Sequence, residues 1–192
     1  MKKTLLIFAA SLFFTKLHAD STNENIGAWS DAVNGLRGRL IITQEQKDND
    51  VQRPKIFLEL QNVADVLGSI QINAFNPRTS FQCHVIDGTG KPLASDLGMI
   101  REMVVPAFTL SIPFESSMQL NINRHFPGGF GFRQVPPKEC TEIILGCDVW
   151  AIAKEDRADY SLEGTFHIEE SKPTTPPNWS GTLKIPGVKI PR

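Results

Sequence analysis

The chain has 192 residues, with 20 Lys and Arg against 21 Asp and Glu, 41% apolar and 21% charged residues, 14 Gly and 13 Pro. That is one domain's worth of chain, apolar enough to bury a core, and neither a disordered tail nor a membrane-embedded protein by composition. With the first 19 residues set aside as an export signal, 173 remain, carrying 17 basic and 21 acidic side chains, a balance of −4 that gives no reason to seek nucleic acid or anionic lipid.

Residues 1–19 have the three-part layout of a secretory signal peptide: a basic start at Lys2 and Lys3, an apolar run over 5–14 and a Leu17-His18-Ala19 end. At 1.5 Å per residue that run spans about 15 Å, half of a hydrocarbon core near 30 Å, so the segment reads as cleaved after Ala19 rather than as a permanent anchor. The remainder, 20–192, reads as a single domain, secreted or periplasmic, with no stable membrane insertion once the signal is removed.

Residues 21–32 suit a short turn or helix. From there the chain alternates at the strand period. Leu36, Gly38 and Leu40 alternate with Arg37 and Arg39; Ile56, Leu58 and Leu60 with Phe57, Glu59 and Gln61; Ile70 and Ile72 with Gln71 and Asn73. Phe81, Cys83 and Val85 share one face of a run that ends in the turn cluster Asp87-Gly88-Thr89-Gly90. Further runs lie at 103–113, 118–122, 143–153, 160–168 and 181–190. Eight or nine strands with no room between them for crossover helices predict an all-β sandwich of two antiparallel sheets. Its expected core is Leu36, Leu40, Ile56, Leu58, Leu60, Phe81, Val85, Val149, Leu162 and Phe166. Pro106, Pro113 and Pro186 cannot donate to a ladder and mark edges or bulges. Residues 44–54, 125–138 and 169–178 read as loops.

Asp156-Arg157-Ala158-Asp159-Tyr160-Ser161-Leu162 has the spacing of a tyrosine corner, in which a Tyr at the start of the penultimate strand of an immunoglobulin-like Greek key turns its hydroxyl back onto the backbone of the preceding corner. Tyr160, the single Tyr of the chain, takes that structural role, with Asp156 opening the corner. Export permits disulfides, and Cys83, Cys140 and Cys147 all follow the signal. With 141–149 extended, Cys140 and Cys147 stand about 23 Å apart, beyond the ~7 Å reach of a bridge. If a disulfide forms, it joins Cys83 to Cys140 or Cys147; the alternative is three small buried apolar residues.

A resemblance rests on an ordered series of short motifs. Trp29 and Val33-Asn34-Gly35-Leu36-Arg37-Gly38-Arg39-Leu40 open it, then Leu60-Gln61-Asn62-Val63, Val85-Ile86-Asp87 with Gly90-Lys91-Pro92, and Ile112-Pro113 with Glu115-Ser116. Tyr160-Ser161-Leu162 and Trp179-Ser180-Gly181-Thr182-Leu183 with Val188 close it. Over most of 29–190 the chain resembles an uncharacterised, planctomycete-type family of bacterial secreted immunoglobulin-like β-sandwich domains; the stretch around 123–140 departs from that pattern. The resemblance implies fold and export, and no reaction.

Catalytic signatures are sparse. Gly88-Thr89-Gly90-Lys91 lacks phosphate-loop spacing, and the chain contains no Gly-x-Ser-x-Gly, His-Glu-x-x-His or Cys-x-x-Cys. His84, His125 and His167 are too scattered to imply a metal site, and no cofactor is expected. Trp29, Trp150 and Trp179 invite a sugar-stacking reading, against which stand the missing glycosidase carboxylates and the core-like strand around Trp150. Phe126, Phe130 and Phe132, set among glycines at 126–132, are either a binding loop or a cover for a sheet edge. The expectation is an exported non-enzymatic β-sandwich, an interaction or accessory module whose partner is another envelope or extracellular protein. A proteinase-inhibitor-like protein presenting 125–138 is the alternative, and a cysteine- or metal-dependent hydrolase the more distant one.

Overall fold

The computed structural model describes residues 24–44, 51–65, 67–76, 79–97, 107–123, 139–145, 148–170 and 178–191. Among them the chain is all-β, without a helix. Its strands are β1 (Glu24–Ile26), β2 (Leu36–Thr43), β3 (Val51–Gln52), β4 (Lys55–Asn62), β5 (Ile70–Phe75), β6 (Phe81–Asp87), β7 (Asp96–Leu97), β8 (Phe108–Ile112), β9 (Ser117–Asn121), β10 (Cys140–Leu145), β11 (Asp148–Ala153), β12 (Tyr160–Ile168) and β13 (Gly181–Lys189). They form sheets in the orders β1-β2-β4-β9, β13-β12-β6, β3-β10-β11-β7 and β5-β8, antiparallel apart from the short β3–β10 pairing, and none is closed.

Local chemistry sets the first hairpin. Asn34 and Gly35 both have positive φ, 50° and 77°, the conformation a two-residue hairpin turn requires, and they close the Val33–Leu36 bridge. β2 then pairs with β4 along its whole length, from Leu36↔Asn62 to Thr43↔Lys55, and β4 pairs with β9. The segment after β1 continues along the β2 edge, where Gly27 N donates to Leu40 O and Ser30 N to Gly38 O, both at 2.8 Å. Opposite, β12 lies between β6 and β13. The inner face of β2 rests on β13 so closely that a Cβ on Gly38 would come within 2.8 Å of Ile185 Cδ1.

Two stitches join the sheets. Pro92 bridges to Ile86 and Leu93 N donates to Val85 O, after which Trp150 Nε1 donates to Leu93 O, so the chain from 92 to 97 runs from the β6 edge to β11. At the other side Asn123 bridges to Leu145, tying the end of β9 to β10. Arg53 Nε donates to Glu142 Oε2 at 2.8 Å and fastens β3 to the fully buried carboxylate of β10.

The core joins both main sheets through Leu36, Leu40, Leu58, Leu60, Leu162, Phe166, Leu183 and Ile185. Each fully buried side chain of this size contributes about 1.5–3 kcal/mol. A run of aromatic contacts crosses it from Phe108 through Phe75 and Phe166 to Trp179.

Nine of the ten expected core residues are buried; Val149 is half-buried, because Trp150 and Ile152 take the inward face of β11. The expected turn or helix at 21–32 is instead strand β1 followed by an edge segment, since its amides are taken by β2. The run at 143–153 is not one strand: the chain reverses between Leu145 and Asp148, and β10 pairs with β11 as a hairpin. Pro186 falls where the β12–β13 register shifts, and Pro113 directly follows β8, both compatible with their missing donors.

Candidate functional site

Strand alternation puts Leu36, Gly38, Leu40 and Ile42 inward on β2 and Ile56, Leu58 and Leu60 inward on β4. The register then places the remaining residues in rows across the outer face: Arg37, Gln61 and Ser117; Arg39, Glu59 and Gln119; Ile26, Ile41, Phe57 and Asn121; Glu24, Thr43 and Lys55. Trp29, on the edge segment beside β2, brings its ring beneath both guanidinium groups, 4.7 Å from Arg37 Cζ and 4.3 Å from Arg39 Cζ. Such contacts hold a cation and fix its plane.

Glu59 is 5% exposed although it stands on an outer face. Its carboxylate accepts from Arg39 Nε at 2.6 Å and from Ser117 Oγ at 2.8 Å, so both oxygens are engaged. Arg37 Nε donates to Gln61 Oε1 at 2.8 Å. Arg39 is thus neutralised by a buried acid, whereas Arg37 meets an amide and an indole and, among the described residues, no carboxylate. The amino groups of the forks stay available for a planar or anionic partner.

Gln61 also belongs to a neighbouring cleft of about 450 Å³, lined with Asn62, Val63, Ala64, Asp65, Phe114 and Glu115. Asn62 builds its wall: the amide donates to Gly68 O and Ile112 O and its Oδ1 accepts from Ala64 N. Asp65 and Glu115 are exposed at the cleft, Glu115 in the left-handed region at φ 56°. The cleft contains neither a cysteine nor a histidine.

The residues singled out in the sequence lie elsewhere. Tyr160 Oη donates to Asp156 Oδ2 at 2.7 Å, a side-chain acceptor where the corner backbone was expected, while Asp156 Oδ1 accepts from Ala158 N and shapes the turn. Cys83 is a free thiol on β6, so the expected bridge from it is not made; burial pushes its pKa far above the ordinary thiol value and the nearby charge of Asp148 adds to the rise. Cys140 is buried at the start of β10; Cys147 lies outside the described residues. So do Phe126, Phe130, Phe132 and His125. His84 and His167 stand exposed on the outer face of β6 and β12, His167 Nδ1 2.7 Å from Thr182 Oγ1. Trp150 and Trp179 are buried, so the three tryptophans do not share an exposed platform.

Sequence reasoning missed the Trp29–Arg37–Arg39–Glu59–Gln61 constellation. Its one signal was charged residues of opposite sign at the alternating positions of two adjacent-in-sequence runs, which becomes a cluster only once β2 and β4 pair. The docked pieces of the motif series are equally non-local: Trp179 Nε1 donates to Val33 O and Asn34 Nδ2 to Ser180 O, both at 2.9 Å. No family model, curated protein or solved structure matches the chain.

Proposed function

We propose that this chain is an exported, non-enzymatic β-sandwich of the immunoglobulin-like Greek-key type, acting as an interaction or accessory module in the cell envelope with another envelope or extracellular protein as partner. The signal-like 1–19 segment, the antiparallel sheets and the Tyr160–Asp156 corner support that reading, as does the resemblance to secreted immunoglobulin-like domains. The observation that carries the function is the outer face of β2 and β4, where an indole and a buried carboxylate hold two arginines in fixed planes.

Trp and Arg are enriched among residues that dominate protein interfaces, and a side chain ordered before contact costs less entropy on binding. Ile26, 53% exposed beside this face, adds apolar surface. Burial, which raises the pKa of the Cys83 thiol, makes that one cysteine a poor nucleophile.

The reading is tested by recovering the protein from fractionated cells. The mature chain should begin at Asp20 and, after chemical cross-linking in the intact envelope, carry a partner that Arg37→Ala and Trp29→Ala lose and His84→Ala keeps. An intact Met1 on cytosolic material, or capture indifferent to all three substitutions, contradicts it.

A further inference from the structure

Charges on the surface around Gln61 are unevenly resolved. Arg37 has no carboxylate partner among the described residues, and neither Asp65 nor Glu115 has a cationic one. Gln61 stands between them, occupying Arg37 Nε and lining the acidic cleft. Among the described residues the three charges therefore lie around Gln61 without pairing with one another or with other charges.

Their order along the strand axis is the informative feature. From the Ile26–Ile41–Phe57 row the face runs through Arg39 and Arg37 to Gln61, two rows or about 13 Å away, and on into the cleft with Asp65 and Glu115. Leu67, 83% exposed, follows just beyond. Between the Glu24–Thr43–Lys55 row and Leu67 the surfaces run apolar at Ile26, basic, amide, acidic, apolar. A half-turn about an axis through the middle of that series lays basic on acidic and Ile26 on Leu67, which is the self-complementarity a two-fold interface requires.

We propose that this surface is a homodimer interface, with Arg37 of each protomer facing Asp65 and Glu115 of its partner. The proposal rests on the reading of this face as an interaction surface and names a second copy of the chain as what it meets. Charge complementarity selects that occupant: an unrelated acidic segment would satisfy Arg37 but leave Asp65 and Glu115 apposed to like charge, whereas a second copy answers both signs.

The test is a charge exchange followed by sedimentation velocity over a concentration series of the purified protein. Wild type should show concentration-dependent dimer that added salt weakens. Arg37→Glu alone and Glu115→Arg alone should be monomeric, each with its melting midpoint measured to show that it is folded. An equimolar mixture of the two should dimerise again, though more weakly than wild type, because in that heterodimer one of the two symmetric contacts is native and at the other the two altered residues meet with opposite charge, Asp65 there alone facing a like charge. Wild type that is monomeric throughout, single variants that dimerise as wild type does, or a mixture that stays monomeric overturns the dimer. Any of these, alongside envelope cross-linking still lost with Arg37→Ala, would leave the face an interaction surface for a different protein; loss of both results would remove the underlying reading as well.

Discussion

The outer face of β2 and β4 and the outer face of β6, β12 and β13 both alternate polar residues with buried apolar ones. They differ in what the polar residues do. On β6, β12 and β13, His84 pairs in register with Glu163, Gln82 with Thr165 and Thr165 with Lys184, and among these side chains only the His167–Thr182 contact is a hydrogen bond. Gln82, His84, His167, Thr182 and Lys184 are exposed. This is a solvated sheet face, where cross-strand charge contributes a few tenths of a kcal/mol.

On β2 and β4 the same alternation yields a layered structure. Trp29 lies under Arg37 and Arg39, Glu59 is buried between Arg39 and Ser117, and Gln61 orients Arg37. The difference arises from the edge segment after β1, which delivers an indole to one face, and from a register that sets acid against base within hydrogen-bond reach. A hydrophobic period thus determines which residues point outward, and the neighbouring strand determines whether they form a site.

The largest separation between the two faces should come from their acids. Glu59→Ala leaves Arg39, with 24% of its side chain exposed, without its carboxylate, and should cost about 2–3 kcal/mol, somewhat below the range for fully buried pairs. Glu163→Ala should stay within about 0.5 kcal/mol. For a domain of this size 1 kcal/mol shifts the melting midpoint by about 2–4 °C, so calorimetry resolves the two. Equal midpoints would make the faces energetically alike.

Trp29→Ala follows, at about 1.5–2.5 kcal/mol, from two cation–π contacts and partial burial, against no measurable change for His84→Ala. Urea unfolding checks it; a Trp29 variant as stable as wild type would show that the indole does not brace the arginines. Tyr160→Phe, on the buried side of β12, should cost about 1 kcal/mol for the hydrogen bond to Asp156 and provides a scale for both.

The smallest effect is a titration. Asp87 is half-exposed at the end of β6, and its carboxylate is held below the ordinary range by the Thr89 hydroxyl first, then by the Lys91 backbone amide. Since its folded pKa lies below the unfolded one, its contribution to stability is complete above the ordinary carboxylate pKa and is lost as pH falls through the depressed value. Thr89→Ala should return the pKa upward in an NMR titration; no movement would assign the shift elsewhere.

Much of the strand pattern was legible because burial imposes a period of two: β2, β4, β6, β12 and β13 fall where alternation puts them. The β10–β11 reversal was not, because Gly146 and Asp148 are the single turn-type residues in an otherwise apolar run, whereas 87–90 is a continuous Asp-Gly-Thr-Gly cluster. β1 was obscured by its polar composition, and its pairing depends on the distant β2 edge. Trp29 stood apart from the arginines it braces by eight and ten positions, and Glu59 from Arg39 by twenty, so register was needed to join them.

The central claim is that the β2–β4–β9 face, and not its counterpart on β6–β12–β13, makes the functional contact. Photo-cross-linking amino acids at Gln119 and at Gln82, introduced one at a time into the full chain and activated in intact cells, compare the faces directly. A discrete adduct from Gln119 that Arg37→Ala abolishes, with none from Gln82, is the predicted result. An adduct from Gln82 and none from Gln119 would contradict it.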